Sequence, residues 1–154
     1  MVTRKLIVLF SLFFGCLFVL SAQTRQQLQE SYMTYLKNEG YNPTIDSDGD
    51  ILFKSEGSSY YIYVNEDDLE FFRLVYLANY ELETAREKTQ FPLAIEYANK
   101  STKVSKVTSR DDGGRIMIST EVFLGRPDDF RYVFKRMLSS NKAALSNFVE
   151  KMRE

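Results

Sequence analysis

Residues 51–80 determine the fold of this chain and read ILFKSEGSSYYIYVNEDDLEFFRLVYLANY. Three segments of this stretch are rich in the β-branched and aromatic residues that strands favour, and the polar turns Glu56–Ser59 and Asn65–Asp68 separate them. We therefore predict a meander of three antiparallel strands: Ile51–Lys54, Tyr60–Val64 and Phe71–Tyr80. The third segment is apolar in both alternating registers, which predicts a central strand.

Apolar residues at helical spacing predict helices at both ends of the domain. Thr24 and Gln27 are spaced as a capping box at the start of the first helix, which stops at Gly40. The last begins at Pro127–Asp129, where proline suits the first turn and acids suit the positive end of the helix dipole. The polar Ser139–Asn141 interrupts its apolar side and is expected to bend it.

A further helix and two strands lie between these parts. We expect the regular part of this helix to start near Gln90, because Pro92 fits the first turn of a helix better than its interior, and we leave Glu83–Lys88 as a helical lead-in. A strand that includes Val104 and Val107 and the alternating strand Ile116–Val122 then follow. The residues that join these two strands are the clearest hairpin turn of the chain, Asp111-Asp112-Gly113-Gly114.

The element order is helix, three strands, helix, two strands, helix. Meander and hairpin connections favour antiparallel pairing, so the prediction is a two-layer α+β fold with an antiparallel five-stranded sheet. Residues 23–154 are expected to form one domain, because one core of this size stabilises a single domain and no linker or repeat divides it.

The first 22 residues have the pattern of a secretory signal peptide. Arg4 and Lys5 precede an apolar run, Leu6–Leu20, and the small residues Ser21 and Ala22 follow it. We expect cleavage after Ala22 and a periplasmic or secreted bacterial protein without a stable membrane anchor. A retained membrane span is the first alternative, although such a span needs about 20 apolar residues.

Lipidation of Cys16 is the second alternative for this segment. It would start the mature chain with the apolar Leu17–Leu20, which a lipid-anchored soluble domain does not need. Removal of residues 1–22 would also remove the only cysteine and would change the formal net charge from −1 to −3, since two bases and no acid leave with them. Neither a disulfide nor a nucleic-acid footprint is then expected.

The residue types needed for most catalysis are missing. The chain has no histidine, so a Ser-His-Asp triad and imidazole metal ligands are excluded, and its glycines are too scattered for a phosphate-binding loop. The prediction is no enzyme activity, no catalytic residue, no cofactor and no metal. Asp46, Asp48 and Asp50 alternate like the start of a calcium loop, but Ile51 and Gly57 stand where an EF-hand needs glycine and glutamate, so an Asx-rich turn is favoured.

Two tyrosines are the candidate binding residues. If Tyr60, Ile62 and Val64 face the helices, then Tyr61 and Tyr63 face the opposite side of the sheet. One interpretation is that a helix covers them or that they tolerate partial exposure. The other is that they form a contact surface for another chain.

The order of elements resembles a known family. The segment YLKNEGYNPTIDSDGDILFKSEGSSYYIYV, residues 35–64, is followed by an apolar strand, a helix ending in Asn99-Lys100, a basic strand and a long closing helix. This arrangement resembles the type III secretion chaperone-like family over most of residues 28–152. The resemblance implies a small α+β domain that binds proteins and forms dimers. The predicted export signal departs from that family, whose chaperones work in the cytosol.

We therefore expect an exported, non-catalytic binding protein whose partner is a protein or peptide, or a second copy of the chain. The alternative is a periplasmic carrier of a small apolar ligand, held between the sheet and the helices.

Overall fold

The computed structural model describes residues 24–110 and 114–154. The helices are α1 (Arg25–Asn38), α2 (Ala85–Ser101) and α3 (Phe130–Arg153), and a 3₁₀ turn, Pro127–Asp129, precedes α3. The strands are β1 (Thr44–Ile45), β2 (Ile51–Ser55), β3 (Ser58–Tyr63), β4 (Phe71–Asn79), β5 (Ser105–Arg110) and β6 (Arg115–Phe123). The predicted signal peptide, residues 1–22, and hairpin-turn residues 111–113 lie outside the described residues.

The strands form one antiparallel sheet in the order β1-β2-β3-β4-β6-β5, which confirms the predicted α+β class. The central position predicted for β4 is also confirmed, since it lies between β3 and β6. The prediction of five strands is wrong, because β1 pairs with β2 as a sixth. Both of its residues are exposed, and two residues are too few to show an alternating pattern.

The first helix begins as predicted. The backbone N–H of Thr24 donates to Oε1 of Gln27 at 2.8 Å, and the backbone N–H of Gln27 donates to Oγ1 of Thr24 at 3.3 Å. Each side chain thus satisfies a backbone donor that the first turn leaves free. Gly40 follows the helix with a φ of +86°, a conformation that glycine adopts without strain.

Helix α2 starts at Ala85, so the helical lead-in is confirmed from that residue and the predicted start of the regular helix near Gln90 is wrong. Thr84 and Glu87 form a second capping box, in which the Thr84 N–H donates to the Glu87 carboxylate at 2.8 Å and the Glu87 N–H donates to Thr84 Oγ1 at 3.1 Å. Pro92 therefore lies inside the helix rather than in its first turn. The cap and the packing of Phe91 and Ala94 outweigh the local cost of the proline.

Helix α3 continues without interruption through Ser139–Asn141, and the bend expected there stays a prediction. Asn141 is completely buried, and its amide is hydrogen-bonded to core groups rather than turned to solvent. Among the described residues, no helix combines the length and the apolar character needed to cross a membrane.

All three helices pack on the same face of the sheet. One buried cluster joins α1 and α3 to β2, β3 and β4, and a second joins α2 and α3 to β5 and β6. The inward strand residues of these clusters are Ile51, Phe53, Tyr60, Ile62, Phe72, Leu74, Val107, Ile116 and Ile118. The predicted two-layer arrangement is therefore confirmed, and the described helices leave the other face of the sheet uncovered.

Candidate functional site

The outer face, which is the face of the sheet opposite the helices, carries the two predicted tyrosines. Tyr61 and Tyr63 are half-buried there, because Tyr60 and Ile62 alternate with them and are buried in the core. The apolar side chains on this face are Leu52, Tyr61, Tyr63, Phe71, Val75, Leu77, Met117 and Phe123. The sequence thus placed the tyrosines correctly, while their role in binding stays a prediction.

The centre of the outer face is densely packed. Leu52, Tyr61, Val75 and Ser119 lie side by side across four strands. Val75 is 0% and Ser119 1% exposed, although both point away from the helices. Neighbouring side chains of the sheet therefore form a thin second apolar layer, with Tyr61 in its middle.

Tyr63 is held between an aromatic and a cationic neighbour. Its ring centroid lies 6.5 Å from that of Tyr61, with the planes at 69°, and the Arg73 guanidinium carbon lies 5.1 Å from its centroid. Burial raises the pKa of the Tyr63 hydroxyl, and the nearby Arg73 charge only partly opposes this. Both rings are thus fixed by contacts within the sheet, which reduces the entropy that a partner would have to remove on binding.

Glu121 links three strands of the outer face. Its carboxylate lies 3.0 Å from Nε of Arg73 on β4 and 3.1 Å from Nζ of Lys106 on β5, and it accepts a hydrogen bond from Oγ of Ser119. Burial alone would raise the pKa of this carboxyl. The Lys106 and Ser119 hydrogen bonds and the Arg73 charge outweigh burial, so the pKa of Glu121 lies below its usual value.

The strands give the outer face an excess of positive charge, and the Asp48 and Asp50 carboxylates border it near Tyr63. Its cationic side chains are Lys54, Arg73, Lys106, Arg110 and Arg115. Among the described residues, Glu121 is the only carboxylate that the strands place on this face. The whole chain has 20 basic and 21 acidic residues. The bases are therefore concentrated around the tyrosines, which favours a partner of opposite charge.

The acidic loop before β2 is an Asx turn, as the sequence predicted. Oδ1 of Asp46 accepts hydrogen bonds from the N–H groups of Asp48 at 3.0 Å and Asp50 at 2.9 Å. The Asp50 carboxylate accepts the N–H of Val64 at 2.7 Å. Burial and the charge of Asp46 raise the pKa of Asp50, and they outweigh that hydrogen bond, which lowers it. The loop carboxylates thus serve the local backbone, and the described residues contain no group of three potential metal ligands.

An open groove of about 830 Å³ lies between α3 and the end of β6. Val122, Val133 and Met137 give it an apolar lining, and Lys103 and Arg136 are among the charged residues that line it. The groove is a cleft open to solvent, unlike the enclosed apolar cavity expected of a small-ligand carrier. Its volume lies within the range of about 300–1,000 Å³ found for binding sites.

A buried polar cluster forms the inner end of this groove. Oγ of Ser105 lies 2.8 Å from Oγ1 of Thr120 and 2.7 Å from Oγ of Ser140. Oγ1 of Thr120 donates to Oδ1 of Asn141, whose amide nitrogen donates to the Leu74 carbonyl at 3.1 Å. Sequence reasoning missed this cluster, although the polar break in the apolar side of α3 was its signal.

Val104 was predicted to belong to the strand with Val107, but it precedes β5 and turns the chain sharply at the wall of the groove. The Ser105 N–H donates to the Lys103 carbonyl at 2.7 Å, so Val104, with a φ of 58°, is the central residue of a γ-turn. Oγ of Ser140 donates to the same carbonyl at 2.6 Å. A β-branched residue is strained in this conformation, and the cluster around Ser140 holds it there with its side chain 75% exposed.

Comparison with known proteins supports the fold alone. One similar structure is the crystal structure of YbjN from E. coli, a proposed transcription regulator. It matches this chain with a TM-score of 0.56 and 10% sequence identity, and the match covers 79% of this chain and 92% of YbjN. The crystal structure of an uncharacterised protein from Methanothermobacter thermautotrophicus has a TM-score of 0.56 and 15% identity, covering 81% of this chain and 94% of that chain. No protein-family model and no curated protein sequence matches the chain.

Proposed function

We propose that this chain is an exported, non-catalytic protein that binds another protein through the outer face of its sheet. The observation that carries the proposal is the concentration of half-buried aromatic and apolar side chains on a face that the described helices do not cover. Large aromatic side chains contribute strongly to protein interfaces, because they combine area with a reachable hydroxyl.

The resemblance to type III secretion chaperone-like proteins supports a binding role for a domain of this size. The predicted signal peptide sets this chain apart from those cytosolic chaperones, so the proposal does not extend to chaperoning of a secreted effector. The absence of histidine and, after cleavage, of cysteine supports a non-catalytic protein.

Charge favours a different protein over a second copy as the partner. A symmetric dimer would bring the same five cations of each copy against those of the other. An acidic partner would pair with them instead. Cations beside aromatic rings also suit single-stranded nucleic acid, and a role in transcription has been proposed for YbjN, so an oligonucleotide is included in the test.

The test uses the double variant Tyr61→Ser/Tyr63→Ser, with Tyr132→Ser as the matched control. Tyr132 is 81% exposed on α3 and lies outside both buried clusters. Proteins retained from a periplasmic extract by each immobilised variant are identified by mass spectrometry, and the affinity of the purified candidate is then measured by calorimetry. We expect the double variant to stay folded and to lose at least about tenfold in affinity, equivalent to about 1.4 kcal/mol, while the control binds like the unmodified protein.

Three outcomes would contradict the proposal. Unfolding of the double variant would assign both tyrosines to the core. Equal binding by all variants would remove the outer face from the contact. Two results would show that the face has a different occupant. One is binding of a mixed-sequence oligonucleotide that the double variant loses. The other is a dimer, seen in sedimentation, that the double variant does not form.

A further inference from the structure

We propose that the groove between α3 and β6 binds an extended, acidic peptide segment of a partner protein, which pairs with the free edge of β6. This inference rests on the proposed protein-binding function and adds a second contact of defined chemistry. The free edge consists of Glu121, Val122 and Phe123, the residues of β6 that extend past β5.

The strand register leaves this edge open. On one side, Glu121, Val122 and Phe123 face Arg73, Phe72 and Phe71 of β4. On the other side, β5 begins at Ser105 opposite Thr120, so no strand of the described chain lies beside the last three residues of β6.

The hydrogen-bonding direction of the edge follows from its neighbour. The N–H of Leu124 donates to the Glu70 carbonyl at 2.8 Å, towards the β4 side. Along an antiparallel strand the backbone N–H and C=O groups of successive residues point alternately to the two neighbouring strands. Those of Val122, like those of Leu124, therefore point towards β4. Those of Glu121 and Phe123 point towards the open side. A peptide laid along β6 would therefore find donors and acceptors at strand spacing.

The γ-turn at Val104 is the reason that the edge is free. Continued in register, β5 would place Val104 opposite Glu121, but the positive φ of Val104 turns the chain away one residue earlier. Ser140 holds the Lys103 carbonyl in this turn. The strain is maintained by this hydrogen bond and by the buried cluster of Ser105, Thr120 and Asn141, and it opens the groove where a paired strand would otherwise continue.

The lining of the groove defines the chemistry of the peptide. A peptide side chain opposite Val122 would face α3 and contact Val133 and Met137, so it should be apolar. Arg136 and Lys103 line the same groove, and within the described chain neither has an ion-pair partner. Side chains two positions before and after the apolar one lie on the same face of a strand, so acidic residues at those positions would pair with them. A second copy of the chain would meet these cations with its own, which disfavours edge-to-edge self-association.

The test measures fluorescence anisotropy with labelled, end-blocked peptides. The first is DTVTD, in which the central valine and both aspartates lie on one face of the strand. The second is KTVTK, and the third is DTVTD with alternate backbone nitrogens methylated, which removes the hydrogen-bond donors that an added strand needs. We expect DTVTD to bind, and each of the other two to bind at least about tenfold more weakly.

The protein variant that tests the site is Lys103→Glu/Arg136→Glu. Its control, Lys37→Glu/Lys88→Glu, makes the same change of net charge at exposed positions outside the groove. We expect the groove variant to lose affinity for DTVTD and to gain affinity for KTVTK, while the control keeps the original preference. The reversed preference shows that the variant is folded.

The proposal is overturned if DTVTD fails to bind at about 1 mM, if N-methylation has no effect, or if the groove variant binds DTVTD as the control does. It is also overturned if the protein forms a dimer that excludes the peptide. The peptide experiment leaves Tyr61 and Tyr63 unchanged, so its failure is distinct from a failure of the outer face to bind a partner.

Discussion

Two residues of this domain have a conformation or an environment that is unusual for their residue type. Val104 occupies a positive φ although its side chain is β-branched, and Asn141 lies fully buried within an otherwise apolar helix side. The two are connected, because Asn141 bonds Thr120, Thr120 contacts Ser105, and Ser105 donates its N–H across the turn. Buried hydrogen bonds thus offset a local strain that would otherwise relax.

We predict that Val104→Gly raises the free energy of unfolding by about 1 kcal/mol. Strain of about 1–3 kcal/mol at a non-glycine positive φ is removed, and the greater freedom of glycine in the unfolded chain offsets part of the gain. Val104→Ala is the control, because alanine keeps the strain. Urea unfolding of the three proteins measures the differences, and a destabilised glycine variant would show that Val104 is unstrained.

A second residue-scale prediction concerns the pH dependence of stability. The pKa of Glu121 is lowered in the folded state, so its contribution is present above its unfolded-state pKa of about 4.3 and is lost as the pH falls through the lower folded-state pKa. Glu121→Gln should therefore reduce the free energy of unfolding at pH 7 by about 0.5–1 kcal/mol.

This difference from the unmodified protein should shrink as the pH is lowered below about 4. Urea titrations across that range measure it, with Glu70→Gln as a control at an exposed position. A difference that stays constant with pH would mean that Glu121 acts by packing rather than by charge.

At the scale of elements, capping boxes mark the starts of α1 and α2. Thr24 with Gln27 and Thr84 with Glu87 form the same reciprocal hydrogen bonds, yet only the first pair was predicted. The second pair was missed because of Pro92. Proline is common in the first turn of a helix and rare later, so Pro92 suggested that the helix starts close to it. The capping box was the stronger local signal, and α2 follows it.

We predict that Pro92→Ala stabilises the domain by about 1–2 kcal/mol. Alanine restores a backbone N–H within α2 and removes the ring from the preceding turn, whereas the lost rigidity of proline in the unfolded chain offsets part of the gain. Thermal unfolding followed by circular dichroism measures the effect, and Leu93→Ala at the adjacent, 46% exposed position is the control. A lower melting temperature for Pro92→Ala would indicate that the proline is needed for the packing of α2.

At the scale of the whole molecule, placing all three helices on one side gives the sheet two unlike faces. The inner face is covered by aromatic and aliphatic clusters, whereas the outer face combines half-buried tyrosines with a ring of cations. The groove opens at the β6 end of the same sheet, and Phe123, 75% exposed, lies on the outer face beside it. A single partner protein can therefore contact both surfaces at once.

We predict that the exported protein begins at Gln23. The leader has a basic start, an apolar core and small residues at Ser21 and Ala22, which is the pattern that signal peptidases cleave. Intact-mass spectrometry of the protein from periplasm or medium measures the cleavage site. A species that retains residues 1–22, or one with lipid on Cys16, would contradict the prediction.

The sequence alone determined the α+β class, the order of the main elements and the inward and outward directions along β3. These features follow from local periodicity, because side chains alternate along a strand and repeat along a helix. The sixth strand, the polar cluster around Asn141, the γ-turn at Val104 and the groove beside β6 appeared only in the tertiary structure. The strand β1 has only two residues, too few to show an alternating pattern. The other three features depend on residues far apart in the chain, such as Leu74 with Asn141 and Lys103 with Ser140, and no local pattern encodes which distant groups will meet.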